Sequence, residues 1–221
     1  MTARDMIPDI YFDDVSMLSC GWIRESIDFP APQPQNDILT VPGRNSPIRY
    51  AEALGRISYQ PREFTVVLAM LGTHARFIRQ STDIINQFNG QLVHVTKRED
   101  PEVYAVGTLL IQPSYDPLTA KGILTISCTD ADAYLYHVTE TVQSVTGSAA
   151  IVLDNDFMPV VPTVTTTAQT TLSWSVLGDS FTKTLSAGAW TIPELELQAG
   201  SNTVTVSGAG TTTFRYREGR L

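Results

Sequence analysis

Phe64-Thr65-Val66-Val67-Leu68-Ala69 opens the stretch that decides the fold, which runs on through Gly72-Thr73 to Leu92-Val93-His94-Val95. The first six residues are apolar or β-branched and read as a strand. Beyond Thr73 the period changes. Phe77, Ile78, Ser81, Ile84, Ile85 and Phe88 fall at i, i+1, i+4, i+7, i+8 and i+11. That is one face of a 3.6-residue helix, which a strand cannot produce. Thr73 is placed to accept a bond from an orphan N–H of the first turn. Gly90 stands where a left-handed residue closes a helix. The spacing therefore predicts a helix over 73–89, and Leu92 to Val95 resume a strand. No second stretch reads as a helix, so this one is expected to seal an open edge or face of a β domain.

Upstream, Ile10-Tyr11-Phe12 reads as a short strand and Met17 to Phe29 as a longer one. The latter ends at Pro30-Ala31-Pro32-Gln33-Pro34, because closely spaced prolines cannot join a ladder. Ile38 to Val41 forms a further strand and stops at the turn Pro42-Gly43-Arg44-Asn45-Ser46-Pro47. The weaker pattern from Ile48 to Tyr59 suggests that Asn36 to Tyr59 forms an arm or hairpin projecting from the core. Downstream of the helix, Lys97 to Pro101 is a charged turn. Tyr104, Val106, Thr108 and Leu110 alternate, Tyr115-Asp116-Pro117 turns, and Gly122 to Cys128 pairs back. The first domain, residues 1–144, thus reads as an antiparallel β-sandwich with a single α-helix.

From Val145 the composition shifts to Thr, Ser, Gly and Val. Leu172 to Val176, Leu195 to Leu197 and Val204 to Val206 alternate, with glycine turns between short strands. Residues 145–221 therefore read as a small second β-sandwich, and the whole chain is mainly β.

Charge narrows the function. The formal net charge is −8 with a sequence pI near 4.8, the wrong sign for direct binding to phosphate backbones. No apolar run is long enough to span a membrane, so no membrane insertion is expected. The N-terminal residues lack the apolar core of a Sec signal. Cys20 and Cys128 are far apart with no CxxC or flanking His. They read as buried thiols of a protein made in a reducing cytoplasm, with a disulfide or a reactive thiol as the alternative.

Catalytic signatures are missing. Asp13 and Asp14 are adjacent on what reads as extended chain and would point to opposite faces, which suits no shared proton. Asp154-Asn155-Asp156 starts like a calcium loop but lacks its glycine and terminal glutamate; an Asx-capped turn is the plainer account. His74, His94 and His137 have no metal-ligand spacing, His74 and His94 being read as exposed. No nucleophile elbow or P-loop occurs. The expectation is no enzyme, no catalytic or metal residue, and no cofactor. Two binding features stand out instead. Arg44, Arg49, Arg56 and Arg62 punctuate the stretch before the helix and read either as a solvated face or as an interface suited to bidentate pairing. Trp174 and Trp190 could form a glycan-stacking platform or belong to the sandwich core.

The order of these elements resembles a known family. Val41-Pro42-Gly43-Arg44, the strand at Phe64–Ala69, the lone helix, an Asp-Pro turn before Tyr104-Ala105-Val106-Gly107, and the closing strand Ile123 to Cys128 are similar to the N-terminal ring domain of the distal tail proteins (Dit) of long-tailed phages, or siphophages. The likeness covers roughly residues 8–140. The family turn usually reads Gly-Arg-Asp-Gly; here it is Gly43-Arg44-Asn45-Ser46, with Asn45 able to supply a left-handed residue. The glycine-rich stretch Ala199 to Gly208 and the strand Phe214-Arg215-Tyr216-Arg217 are similar to the galectin-like, carbohydrate-module-like sandwich with which that family ends. The resemblance implies a virion structural protein: a homohexameric baseplate hub at the tail tip, made in the bacterial host cytoplasm. Its implied partners are the tail tube protein and tail-associated or baseplate fibre proteins, with DNA only passing through the channel. Pro42, Gly43, Arg44, Asn45, Arg49, Arg56 and Arg62 would then lie at subunit interfaces, and the acidic charge would keep DNA from sticking to the lumen. The alternative is a carbohydrate-binding module for host attachment, using Trp174 or Trp190; a β-sandwich hydrolase is a distant third.

Overall fold

The computed structural model describes residues 7–35, 38–43, 45–46, 48–49 and 57–221. The chain folds as two compact units, Met1–Leu135 and Tyr136–Leu221. Residues 136–144, grouped above with the first domain on composition, belong to the second. The reason is pairing: Thr141 to Thr146 lie antiparallel to Tyr216 to Thr211, although the threonine-rich composition starts only later.

In the first unit the strands are β1 (Ile10–Phe12), β2 (Val15–Ser16), β3 (Ile23–Asp28), β4 (Ile38–Leu39), β5 (Ile48–Arg49) and β6 (Arg62–Leu71). Helix α1 (His74–Phe88) follows, then β7 (Leu92–Lys97), β8 (Asp100–Thr108), β9 (Leu110–Asp116) and β10 (Lys121–Ala131); β11 (Leu135–His137) straddles the division. One sheet runs β2-β1-β7-β8, and the other runs β3-β6-β10-β9. Inward side chains of both, among them Phe12, Val93 and Ala105 from the first and Val66, Leu68, Leu124 and Ile126 from the second, form one buried cluster. This is the face-to-face packing of a β-sandwich.

Thr73 caps α1 as expected, its hydroxyl accepting from the Arg76 N–H at 3.3 Å, and Gly90 takes φ 74° just past the last turn. The buried stripe is narrower than the periodicity suggested. Phe77, Ser81, Ile84 and Phe88 are buried, whereas Ile78 is half exposed. Ile78 and Ile85 flank the stripe on the same side, seven residues apart. Phe77 sits on Gly122 of β10, where any Cβ would collide with its ring, and meets Trp22 edge-on at 6.2 Å. Phe88 meets Phe12 edge-on at 5.6 Å. The helix thus ties strands of both sheets together.

Two sequence expectations change, and one phase is settled. Met17 to Phe29 is not one strand: residues 17–21 form a turn, and only Ile23–Asp28 is extended. The buried Asp9 carboxylate accepts from the Leu18 N–H at 3.0 Å and the Ser16 hydroxyl at 2.6 Å, so a side chain replaces ladder bonds there. Asp13 and Asp14 are not extended either. They are the two central residues of the β1–β2 hairpin, both at positive φ, the geometry of a type I′ turn. In β8 the alternating Tyr104, Val106 and Thr108 lie on the half-exposed face, while Val103, Ala105 and Gly107 are buried. Small residues are needed inside because Cys128 and Ala131 of β10 approach Gly107 closely.

The second unit holds β12 (Thr141–Thr146), β13 (Ala149–Asn155), β14 (Thr163–Thr166), β15 (Thr170–Val176), β16 (Asp179–Leu185), β17 (Gly188–Thr191), β18 (Gly200–Gly208), β19 (Thr211–Tyr216) and β20 (Gly219–Arg220). Its sheets run β12-β19-β14-β17 and β13-β18-β15-β16. Leu153, Leu172, Trp174, Val204, Val206, Val164 and Phe214 from the two sheets share its core.

Candidate assembly and binding surfaces

The proposed arm has a paired base. Gln35 N–H donates to the Ser58 carbonyl at 2.7 Å and Gln60 N–H to the Gln33 carbonyl at 2.8 Å, and β4 pairs with β5 further out. A hairpin therefore leaves the first unit between two sheet strands, as a run of prolines at its root allows. Pro42, Gly43 and Asn45 fall at its turn, Gly43 with φ 82°. Arg44, Arg56 and the side chain of Arg49 lie outside the described residues.

Arg62 is placed differently from the others. It is buried, donating to the carbonyls of Pro30 at 2.6 Å and Ala133 at 3.1 Å, with its guanidinium over the Phe29 ring. Burial lowers its pKa from the ordinary arginine value. Both terminal nitrogens of its guanidinium bond within the first unit, holding the chain where the hairpin departs.

The outer face of the β3-β6-β10-β9 sheet carries a surface that sequence reasoning missed. Ile23, Ala69, Met70 and Leu71 line an open groove of about 390 Å³ that is almost wholly apolar, bordered by a Lys121–Glu25 ion pair at 2.5 Å. Leu71 is 72% exposed, and Leu118, in the β9–β10 turn, is 95% exposed. That turn is held by Asp116, which accepts from the Leu118 N–H and the Thr119 hydroxyl; these bonds lower the carboxyl pKa. Leu118 is therefore presented on an ordered loop. Its only sequence signal was an apolar residue inside a turn.

The tryptophans separate. Trp174 on β15 is buried, its indole N–H donating to the Glu194 carbonyl at 2.8 Å and its ring stacked on Phe181. Trp190 on β17, in the other sheet, is 38% exposed and donates to the Ser186 carbonyl at 3.0 Å. Of the two, Trp190 is the more exposed.

His74 is exposed beside Tyr115, and His94 faces out against Tyr104. His137 Nε2 lies 3.0 Å from Asp156 Oδ2. Among the described residues no three His, Cys, Asp or Glu side chains converge as a metal site requires. Asp154 accepts from Ser201, while the buried Asn155 amide donates to Met158. Both cysteines are free; Cys20 is half-buried, and burial pushes the Cys128 thiol up to about 11, a poor nucleophile at neutral pH. Among the described residues no helix is long and apolar enough to cross a membrane.

No family model matches the sequence, and no curated protein matches it. Among solved structures the fold is similar to that of the Dit protein (gp 19.1) of phage SPP1, described as a paradigm of the hub adsorption apparatus in phages that infect Gram-positive bacteria. The TM-score is 0.71 at 13% identity, covering 97% of this chain and all of that one. What the chain shares with that hub protein is its fold, over both units.

Proposed function

We propose that this chain is a structural protein of a phage or prophage tail tip, a hub that closes as a hexameric ring between the tail tube and the baseplate or tail-associated fibre proteins. The observation that carries this reading is the full-length likeness to SPP1 Dit, which takes in both units rather than one common sandwich. The surfaces agree with a scaffold. An exposed apolar groove rimmed by an ion pair is the kind of area left for a protein partner. In this reading the groove at Ile23, Ala69 and Leu71 is covered on assembly. The hairpin with Pro42, Gly43, Arg44, Asn45, Arg49 and Arg56 reaches a neighbouring subunit in a head-to-tail contact that a ring closes, and Arg62 anchors its root. DNA passes through the channel without binding, and the protein resides at the virion tail tip.

Light scattering with negative-stain imaging tests the reading. A particle of about 145 kDa, six times 24.2 kDa, with a central hole is the expected outcome, and Leu71→Glu should return it to smaller species. A monomer at every attainable concentration, both alone and with tail tube protein, would overturn it.

A further inference from the structure

The exposed face of the β13-β18-β15-β16 sheet is a grid of hydroxyls. Strand register sets Thr182, Ser173 and Thr205 side by side in one row and Thr184, Thr171 and Ser207 in the next. On the other side, Ser180 pairs with Ser175, and Thr203 lies two residues before Thr205 on the same face. Across β15 and β16 the hydroxyls bond in pairs: Thr171–Thr184 at 2.8 Å, Ser173–Thr182 at 3.1 Å and Ser175–Ser180 at 3.1 Å. Two of the three rows, Ser173, Ser175, Ser180, Thr182, Thr203 and Thr205, line an open groove of about 410 Å³ together with Trp174 and Phe181, and no charged residue is in its lining. On β13 the rows end in apolar side chains, Ala150 opposite Thr205 and the half-exposed Val152 opposite Thr203.

We infer that this groove binds a neutral, polyhydroxylated glycan chain. A hydroxyl carries one donor and two acceptor lone pairs. A bonded pair therefore keeps one donor and three acceptors free and can both give and receive, as a sugar hydroxyl requires of its partner. Carboxylates or ammonium groups would offer one kind only. The absence of charge disfavours anionic ligands, which would be desolvated without compensation. The rows repeat about every 6.7 Å along a strand and about 4.8 Å across strands, so a chain of repeating hydroxylated units can meet successive rows. The threonine methyls, Ala150 and Val152 supply apolar contact for the C–H faces of sugar rings. The groove volume lies in the range of small-ligand sites, about 300–1,000 Å³. The cross-strand pairs also hold the hydroxyls in place before a ligand arrives, which reduces the ordering cost. This site is separate from Trp190, which lies on the other sheet, and it does not rest on the hub reading.

Titration calorimetry of the full chain against cellotriose, maltotriose and tri-N-acetylchitotriose, with a glycerol-phosphate oligomer as the anionic counterpart, tests the inference, and hydrogen exchange maps the site. The expected result is saturable binding of at least one neutral oligosaccharide with protection confined to β15, β16 and β18. Ser173→Ala combined with Thr182→Val should weaken it about tenfold or more, and Trp190→Ala should leave it unchanged. Should the double variant fail to fold, Thr205→Val alone, on an exposed position, is expected to lower affinity several-fold. No heat with any neutral oligosaccharide, binding of the anionic oligomer alone, protection mapped to β17, or wild-type affinity in the hydroxyl variants would each overturn it. Oligomeric state, read by light scattering, does not enter the outcome.

Discussion

Individual polar residues hold the first unit at its seams. Arg24 is buried, pairs with Glu99 across the sandwich and also donates to the Asp9 carbonyl at 3.1 Å. The Arg24 hydrogen bond is the main cause holding the Glu99 carboxyl below its ordinary 4.5, against a smaller opposing effect of burial. A carboxylate whose folded pKa is depressed contributes stability above its unfolded pKa and loses it as pH falls through the folded value. The stability difference between the wild type and Glu99→Gln, measured by urea unfolding, should therefore be constant near neutrality and shrink below about pH 4.5. Glu99 is 56% exposed, so solvent screening keeps its contribution under about 1 kcal/mol. A difference that grew on acidification would contradict this assignment. Arg62 follows the same logic without an acid: its charge is desolvated but donates to two carbonyls and lies over an aromatic face.

At the scale of elements, α1 shows how a helix can be necessary without being a binding surface. Its buried stripe meets Gly122, Tyr115, Trp22 and Phe12, so truncating that stripe opens a cavity at the junction of both sheets. Phe88→Ala should cost about 3–5 kcal/mol, whereas Ile78→Ser, on the half-exposed flank, should change stability by no more than about 1 kcal/mol. Paired urea melts followed by circular dichroism separate the two. Equal losses would mean that Ile78 belongs to the core. The helix was legible because its period, its Thr73 cap and its Gly90 stop are local properties. The break after Ser16 was not, because the bonds that make it come from the Asp9 side chain and not from any turn-forming run.

For the whole molecule, the decisive feature is that each unit has its own core. The Tyr136–Leu221 unit buries Leu153, Leu172, Trp174, Val204 and Phe214 among others, and its strands β12 to β19 pair with one another in two sheets. Residues 136–221 expressed alone should therefore unfold cooperatively and give dispersed amide resonances, whereas a start at residue 145 should not, because it removes most of β12 from its pairing with β19. Equal behaviour of the two fragments would show that β12 is dispensable. The same independence lets the second unit carry a binding face of its own while the first carries the apolar groove and the hairpin.

By itself the sequence determined the mainly β class, the helix at His74–Phe88 with both its ends, the alternating strands of the core and the change of character in the second half. All of these rest on period, caps and turn residues, which act over a few positions. Only the tertiary structure decided which phase of β8 is buried, that Arg62 turns inward while Trp190 stays exposed, and that Ile23 and Leu71 share a groove. It also brought scattered serines and threonines of three strands into one grid. Those outcomes depend on register and on contacts such as Arg24–Glu99, 75 residues apart. A shift of one residue in pairing would turn every side chain to the opposite face while leaving the local sequence pattern unchanged.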